Sequence, residues 1–273
     1  MEIIRHFDYT GNGMRFMHVC YRNVETDGFA QHVHSAFELI YLKRGEVTYT
    51  VEGKSYRIEG GTCILTRPGT QHAVILSRKD IYERYVAFFE ASMLSPQVYS
   101  ALPQNLDVIR LNGYPIAEQL FQRLDFYAEH LDQETFGLVL QRCLDEIILN
   151  LSIISSRYSD LVDSHRYTAN AIVTQAIDYI SQNLSSDISI DSICRQLHIT
   201  NSYLHQLFIA HLQISPKKYI NMKRLMKARL AIRAGNKPTA VYVDCGFQDY
   251  CSFYRNYRKF FGYPPSEESE KIR

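Results

Sequence analysis

Gly246-Phe247-Gln248-Asp249-Tyr250-Cys251-Ser252-Phe253-Tyr254-Arg255-Asn256-Tyr257-Arg258-Lys259-Phe260-Phe261-Gly262 reads as a tight turn followed by one capped helix. Asp249 is an N-cap residue, because its carboxylate can accept from backbone N–H groups that the first helical turn leaves without partners. Gly262 supplies the left-handed residue that ends a helix, and Pro264-Pro265 prevents continuation. Val241, Phe247, Phe253, Tyr257 and Phe260 make an apolar inner face, while Gln248, Tyr250, Tyr254 and Arg255 point outward. A short helix after Lys237-Pro238 precedes the turn. The unit is a helix-turn-helix, in which the second helix lies in a DNA major groove and the first braces it.

Working outward, the same arrangement occurs earlier. Ser189 caps a helix over about Asp191 to Leu197, and Thr200 caps another over Asn201 to His211. Ile190, Ile193, Leu197, Leu204, Leu207 and Phe208 face inward; Asn201, Ser202, His205 and Gln206 face outward. Between the units, Ser215-Pro216 opens a helix that stops at Gly235, a capping hydroxyl followed by Pro at the first helical position. About 18 residues at about 1.5 Å each make a strut of ~27 Å. Such a strut suits two recognition helices about one DNA turn apart, ~34 Å.

The charge distribution agrees. Ser192 to Val243 is 52 residues without Asp or Glu and with nine Lys or Arg. Residues 169–273 carry 14 Lys/Arg against 8 Asp/Glu, and residues 1–168 carry 16 against 21, although the whole chain is only +1. A one-signed helical surface repels itself and calls for a polyanion, with double-stranded DNA the first candidate. Arg255 suits guanine, which it can bond at two atoms. Lys217, Lys218, Arg224, Arg258 and Lys259 suit phosphates, which position rather than specify.

Over about residues 169–267 the chain resembles the AraC family of bacterial transcription regulators. The resemblance rests on Gly246-Phe247-x-Asp249-x-x-x-Phe253-x-Arg255-x-Tyr257-Arg258-Lys259-x-x-Gly262-x-x-Pro265, with Ser202-Tyr203-Leu204-x-x-Leu207-Phe208 and Ser215-Pro216-x-x-Tyr219-Ile220 in support. It implies two helix-turn-helix subdomains, cytoplasmic location, promoter binding and usually activation, with RNA polymerase as a partner. The chain departs from the pattern at Cys194 and Tyr242, where a small residue is usual, at Gln213 in place of Gly, and at Gln206 and Ile209 in place of Arg and Lys.

The first half has a different period. From residue 14 to 90, short β-rich runs are punctuated by Gly45, Glu52-Gly53-Lys54, Gly60-Gly61 and Pro68-Gly69, as in a sandwich or small barrel. From Pro115 the pattern turns helical: Ile116, Leu120, Leu124 and Tyr127, then a wide stripe from Phe136 to Leu151, joined near Asp132-Gln133-Glu134. That stripe must bury against the barrel, a second copy of itself, or both. The expectation is therefore an α+β two-domain chain: a β-barrel over 1–114, a helical hairpin for dimerisation over 115–157, a linker over 158–168 and an all-α double helix-turn-helix over 169–273.

Gly28-x-x-x-His32-x-His34-x-x-x-Glu38, then Pro68-Gly69-x-x-His72, resembles the two cupin motifs, implying a cupin-like jelly roll. In metal-binding cupins the corresponding residues hold a divalent ion, which makes His32, His34, Glu38 and His72 metal candidates. Imidazole plus carboxylate suits manganese, iron, nickel or zinc. Sugar-responsive AraC-type regulators often keep the pattern without a metal, so a polar small-molecule effector, a carbohydrate among the candidates, is the other reading. Tyr49 and Arg67 would join the four as ligand-binding residues.

Six scattered cysteines without a C-x-x-C pair suit reduced, buried thiols. Met1 to His6 lacks the apolar core of a signal peptide, and no apolar run reaches the ~18 residues of a membrane span. A cytoplasmic regulator without enzymatic activity is expected. A cupin metalloenzyme with a helical appendage and a ligand-free DNA-binding scaffold are the alternatives.

Overall fold

A computed structural model describes residues 2–23, 32–76, 81–102, 108–111, 114–158 and 170–268; Gly28 and the linker beyond Tyr158 lie outside the described residues. Nine strands form two antiparallel sheets among the described residues. The larger has the order β1 (Glu2–Gly11), β2 (Met14–Arg22), β8 (Tyr82–Phe89), β3 (Phe37–Arg44), β6 (Thr62–Thr66), β9 (Val108–Arg110). The smaller has the order β5 (Lys54–Glu59), β4 (Glu46–Val51), β7 (His72–Leu76).

β3 lies between β8 and β6 and is covered on both sides, so its sequence is almost continuously apolar rather than alternating. Ile40 and Leu42 pack with Val47, Tyr49, Tyr56, Ile58 and Val74 between the sheets. Leu39 and Tyr41 point the other way, toward helices. Glu38 has the parity of Ile40 and Leu42, which turns its carboxylate toward β7 at the end of the sandwich.

The short helix α1 (Pro96–Ala101) precedes the hairpin α2 (Pro115–His130) and α3 (Gln133–Arg157). Asp132 caps α3 by accepting from Thr135 N at 2.9 Å. The stripe Phe136, Leu140, Leu144, Ile147, Ile148 and Leu151 is buried against Tyr9, Phe16, Tyr41, Tyr85 and Phe89 of the large sheet. The hairpin therefore covers its own sandwich, leaving Phe126, Leu138 and Leu149 exposed. The strands extend beyond 14–90. β1 is an edge strand with charged residues and no clean alternation, and β9 is three residues long, so neither carries a clear strand signal.

Six helices follow: α4 (Ala171–Gln182), α5 (Ile190–Leu197), α6 (Asn201–Leu212), α7 (Pro216–Arg233), α8 (Pro238–Asp244) and α9 (Tyr250–Phe261). They make two small cores that share α7. Its Tyr219, Ile220 and Met222 pack with α4, α5 and α6. Its Leu225, Ala228 and Ile232 pack with Val241, Cys245, Phe253 and Tyr257. Phe260 is exposed rather than part of the inner face, and Cys245 takes an inner place.

Candidate DNA interface and effector site

The two helix-turn-helix units repeat in detail. Thr200 and Asp249 are N-caps whose side chains accept from Tyr203 N and Ser252 N. Leu204 and Phe208 are buried where Phe253 and Tyr257 are buried, and both helices end on a left-handed residue, Gln213 and Gly262. Gln213 thus holds the strained conformation that Gly would relieve. The ring of Tyr242 is accommodated edge-on to Tyr250 at 5.7 Å, so the second unit keeps its fold with a large residue at that position.

Ser202, His205 and Gln206 are exposed on α6, and Arg255, Arg258 and Lys259 on α9. Lys217 and Lys218 are exposed on the first turn of α7, where the positive end of the helix dipole also favours phosphate. Asn201 is tied to Asp191 at 2.7 Å and Gln248 to Asp187 at 3.3 Å, while Tyr250 and Tyr254 are half-buried. Arg224 departs from its expected phosphate role. It turns inward to donate to the carbonyls of Leu184 (3.1 Å) and Ser186 (2.8 Å), where it braces the α4–α5 connection. It also lies against Gly246: a Cβ there would meet Leu184 O at 2.5 Å and Arg224 Nε at 2.7 Å, with φ at +83°. Only glycine fits that turn.

Sequence reasoning missed Glu268. It is fully buried and accepts from Arg229 (2.8 Å), Arg233 (2.6 Å), Tyr257 and Tyr263 (2.9 Å), fastening the C-terminal segment to α7 and α9. One Glu among Glu267, Glu268 and Glu270 after Pro265 carries no pattern that would reveal this.

In the sandwich, His32, His34, Glu38 and His72 converge, with one ligand atom from each lying within 4.8 Å of the others. A backbone bridge pairs His32 with His72. His34 and His72 approach Glu38 Oε2 through Nε2 at 3.2 and 2.8 Å. Their other nitrogens lie 2.8 Å from Ala36 O and 3.0 Å from Thr70 O. A carbonyl only accepts, so each Nδ1 carries the hydrogen and a neutral ring then turns a lone pair inward. Burial alone would raise the Glu38 carboxyl, but the two imidazoles against it outweigh burial and hold it well below the usual carboxylate range. Three ligand atoms converging on one point form an arrangement that a cation would complete. Outer-nitrogen donation to a carbonyl is also how metal-binding histidines are normally held.

Tyr49 and Arg67 do not join this cluster. Tyr49 is fully buried, its hydroxyl 2.8 Å from Thr66 Oγ1 and its ring beneath His72. With Tyr56, Ile58 and Val74 it fills the space between the sheets. Arg67 instead lines a cavity of about 700 Å³ between the sandwich and α7, with Phe37, Glu90, Tyr99, Leu230 and Arg233.

The helical domain is bonded to the rim of the histidine cluster. The β4–β5 turn places Glu52 at φ +46° and Gly53 at φ +73°, as a two-residue hairpin turn requires. Glu52 accepts from Tyr219 Oη and from Lys223 Nζ (3.0 Å) of α7. A Cβ on Gly53 would lie 2.8 Å from Val173 Cγ1 of α4. Lys223 also donates to Gly69 O (3.0 Å), Gln71 Nε2 to Leu212 O (2.6 Å) and Arg229 to Ser35 Oγ (2.6 Å). Arg233 reaches Glu90.

Residues 17–96 match the family description "AraC-like ligand binding domain", and residues 193–271 match "Helix-turn-helix domain". The chain is 23% identical over 251 residues to the HTH-type transcriptional activator RhaS of Escherichia fergusonii, covering 88% of this chain and 87% of that protein. RhaS of Escherichia coli is 22% identical over 278 residues, covering 98% and 96%. Among solved structures, a probable AraC family transcriptional regulator from Rhodopseudomonas palustris is 28% identical, covering 37% of this chain and 97% of that one, at a TM-score of 0.35. Unsaturated-fatty-acid-bound ToxT from Vibrio cholerae is 13% identical, covering 92% and 94%, at a TM-score of 0.39.

Proposed function

Because this chain belongs to the AraC family of transcription regulators, we propose that it binds promoter DNA through α6 and α9 under control of an effector at its N-terminal sandwich. One arrangement carries the reading. Two capped helix-turn-helix units share α7 and keep their outer faces exposed, while α7 is bonded to the rim of a converging ligand cluster. In this reading Arg255 contacts a base, and Arg258, Lys259, Lys217 and Lys218 contact phosphates. Gene activation through RNA polymerase follows the relatives' description as activators. The exposed Phe126, Leu138 and Leu149 of the hairpin support a homodimer built there. A cytoplasmic regulator without enzymatic activity is the whole proposal; among the described residues no helix is long and apolar enough to cross a membrane.

The histidine cluster fits a divalent transition metal: three imidazole nitrogens and one carboxylate oxygen, with the outer nitrogens of His34 and His72 already held by backbone carbonyls. His32, His34, Glu38 and His72 would hold it, and the ion would complete their arrangement. A small organic effector, carbohydrates among the candidates, has room in the cleft beside Arg67, since Tyr49 and its neighbours fill the space beneath the cluster. Both domains line that cleft, so an effector bound there has different affinities for docked and undocked arrangements, and only such a difference can shift their balance.

The test is operator affinity by fluorescence anisotropy with the full chain. Arg255→Ala should weaken binding by about 5- to 150-fold and relax selectivity at one base pair. Unchanged affinity would overturn the placement of α9 in the groove.

A further inference from the structure

The two recognition helices share a frame and differ in chemistry at every outward position. α6 contains no charged Asp, Glu, Lys or Arg residue. Ser202, His205, Gln206 and Ile209 follow the i, i+3, i+4, i+7 spacing of one helical face, and all four are exposed. Counting from the N-caps, Gln206 stands where α9 has Arg255, Ile209 where it has Arg258, and Ala210 where it has Lys259. Ile209 is 45% exposed on a helix whose Leu204, Leu207 and Phe208 are buried. A β-branched apolar residue in the middle of a polar, outward face loses its hydration cost only when something apolar covers it. Among the described residues, the hydrogen bonds given above from the sandwich to the helical domain fall on Leu212 at the end of α6 and on α7, not on this face.

We infer that the two units read unlike boxes: α6 reads an A·T-containing box through Ile209 on a thymine methyl with Gln206 on an adjacent adenine, and α9 reads a guanine-containing box through Arg255. The inference rests on the reading above that both helices enter major grooves. The major groove is where the chemistry fits. The thymine C5-methyl is its one apolar group, and Gln can pair with adenine N6 and N7 as Arg does with guanine O6 and N7. Without a cation on α6, the first unit draws its phosphate contacts from Lys217 and Lys218, which do not choose sequence.

The test starts by selecting binding sequences from a random duplex library with the purified full chain, and locating the two boxes by hydroxyl-radical footprinting. Each thymine of the α6 box is then replaced by deoxyuridine, which removes the methyl and nothing else. For the wild type, one or two positions should lose about fourfold in affinity, the factor for one buried methyl-sized group. Ile209→Ala should bind the thymine and uracil duplexes alike, with its melting temperature unchanged because the side chain is exposed. Uracil in the α9 box should leave the two proteins' affinity ratio unaltered. If no α6-box thymine responds, or if Ile209→Ala still discriminates, the inference is wrong while DNA binding stands. If selection enriches no sequence at all, the DNA-binding reading itself fails, and this inference with it.

Discussion

His18 and the His32–His72 cluster both set imidazole against buried carboxylate in the same sandwich, and they are hydrogen-bonded in opposite senses. His18 has Asp125 Oδ1 2.7 Å from Nδ1 and Glu83 Oε1 3.0 Å from Nε2, with its ring stacked on Tyr85 at 3.9 Å. Asp125 also accepts from Tyr85 Oη (2.7 Å), and Glu83 is met by Lys43 (3.1 Å) and Arg44. Burial alone would raise both carboxyls, but the surrounding hydrogen bonds, His18's among them, hold both below their usual range. Both ring nitrogens of His18 thus face carboxylate oxygens, and those carboxylates are also met by Tyr85, Lys43 and Arg44. In the other cluster, Ala36 and Thr70 carbonyls occupy the outer nitrogens and the inner nitrogens converge on one carboxylate, Glu38. A histidine beside a carboxylate is therefore not in itself a ligand site. What the second ring nitrogen faces decides whether the group is closed or open.

The largest expected effect breaks the closed group. His18→Leu takes a partner from buried Glu83 and half-buried Asp125 and should cost about 3 kcal/mol in chemical unfolding, the usual scale for breaking a buried pair. Zinc or nickel uptake should be unchanged; a loss of uptake would mean the two groups are not independent. The same group sets an acid limit. Because Asp125 and Glu83 have depressed folded values, their contribution is present above the unfolded carboxylate range near 4 and is lost as pH falls through the lower folded values. Asp125→Asn should flatten that acid slope in unfolding titrations.

The open group gives the next effect. Glu38→Gln should weaken zinc or nickel binding, measured by calorimetry, by on the order of a hundredfold, about 2.7 kcal/mol. Stability in chelator should change far less than for His18→Leu. A wild-type protein that takes up neither ion would remove the metal from this cluster.

The contrast also marks how much the sequence could tell. His32, His34, Glu38 and His72 were legible because a short motif places them, although His32 sits on an isolated bridge and His34 in the segment before β3 rather than both on one strand. His18, Glu83 and Asp125 were not, since they meet only after β2, β8 and α2 pack, across 65 and 107 residues of chain. The helix-turn-helix units were legible from caps and apolar spacing, which are local. Arg224 was misread for the converse reason: its charge suggests phosphate, but its direction is set by the carbonyls of Leu184 and Ser186 and by the absent Cβ of Gly246. β1 escaped because an edge strand need not alternate.

The smallest expected effect tests whether the open group communicates with the DNA-binding domain. His34 O accepts from Gly69 N at 2.9 Å, and Gly69 O accepts from Lys223 Nζ at 3.0 Å. Gln71, adjacent to His72, holds the end of α6 through Leu212 O. An ion that fixes His34 and His72 therefore fixes both strips of backbone against which α7 rests, whereas nothing bound at His18 would reach it by so short a route. Lys223 is partly shielded, at 20% side-chain exposure, so Lys223→Met should cost only about 1 kcal/mol. Zinc should slow amide hydrogen exchange both at the cluster and along residues 219–226 of the wild type. In Lys223→Met the protection at the cluster should persist while that along α7 falls about fivefold, the factor matching about 1 kcal/mol. Equal protection of α7 in both proteins would show that the ion is held without being felt by the DNA-binding domain. The open cluster would then be as self-contained as the closed one.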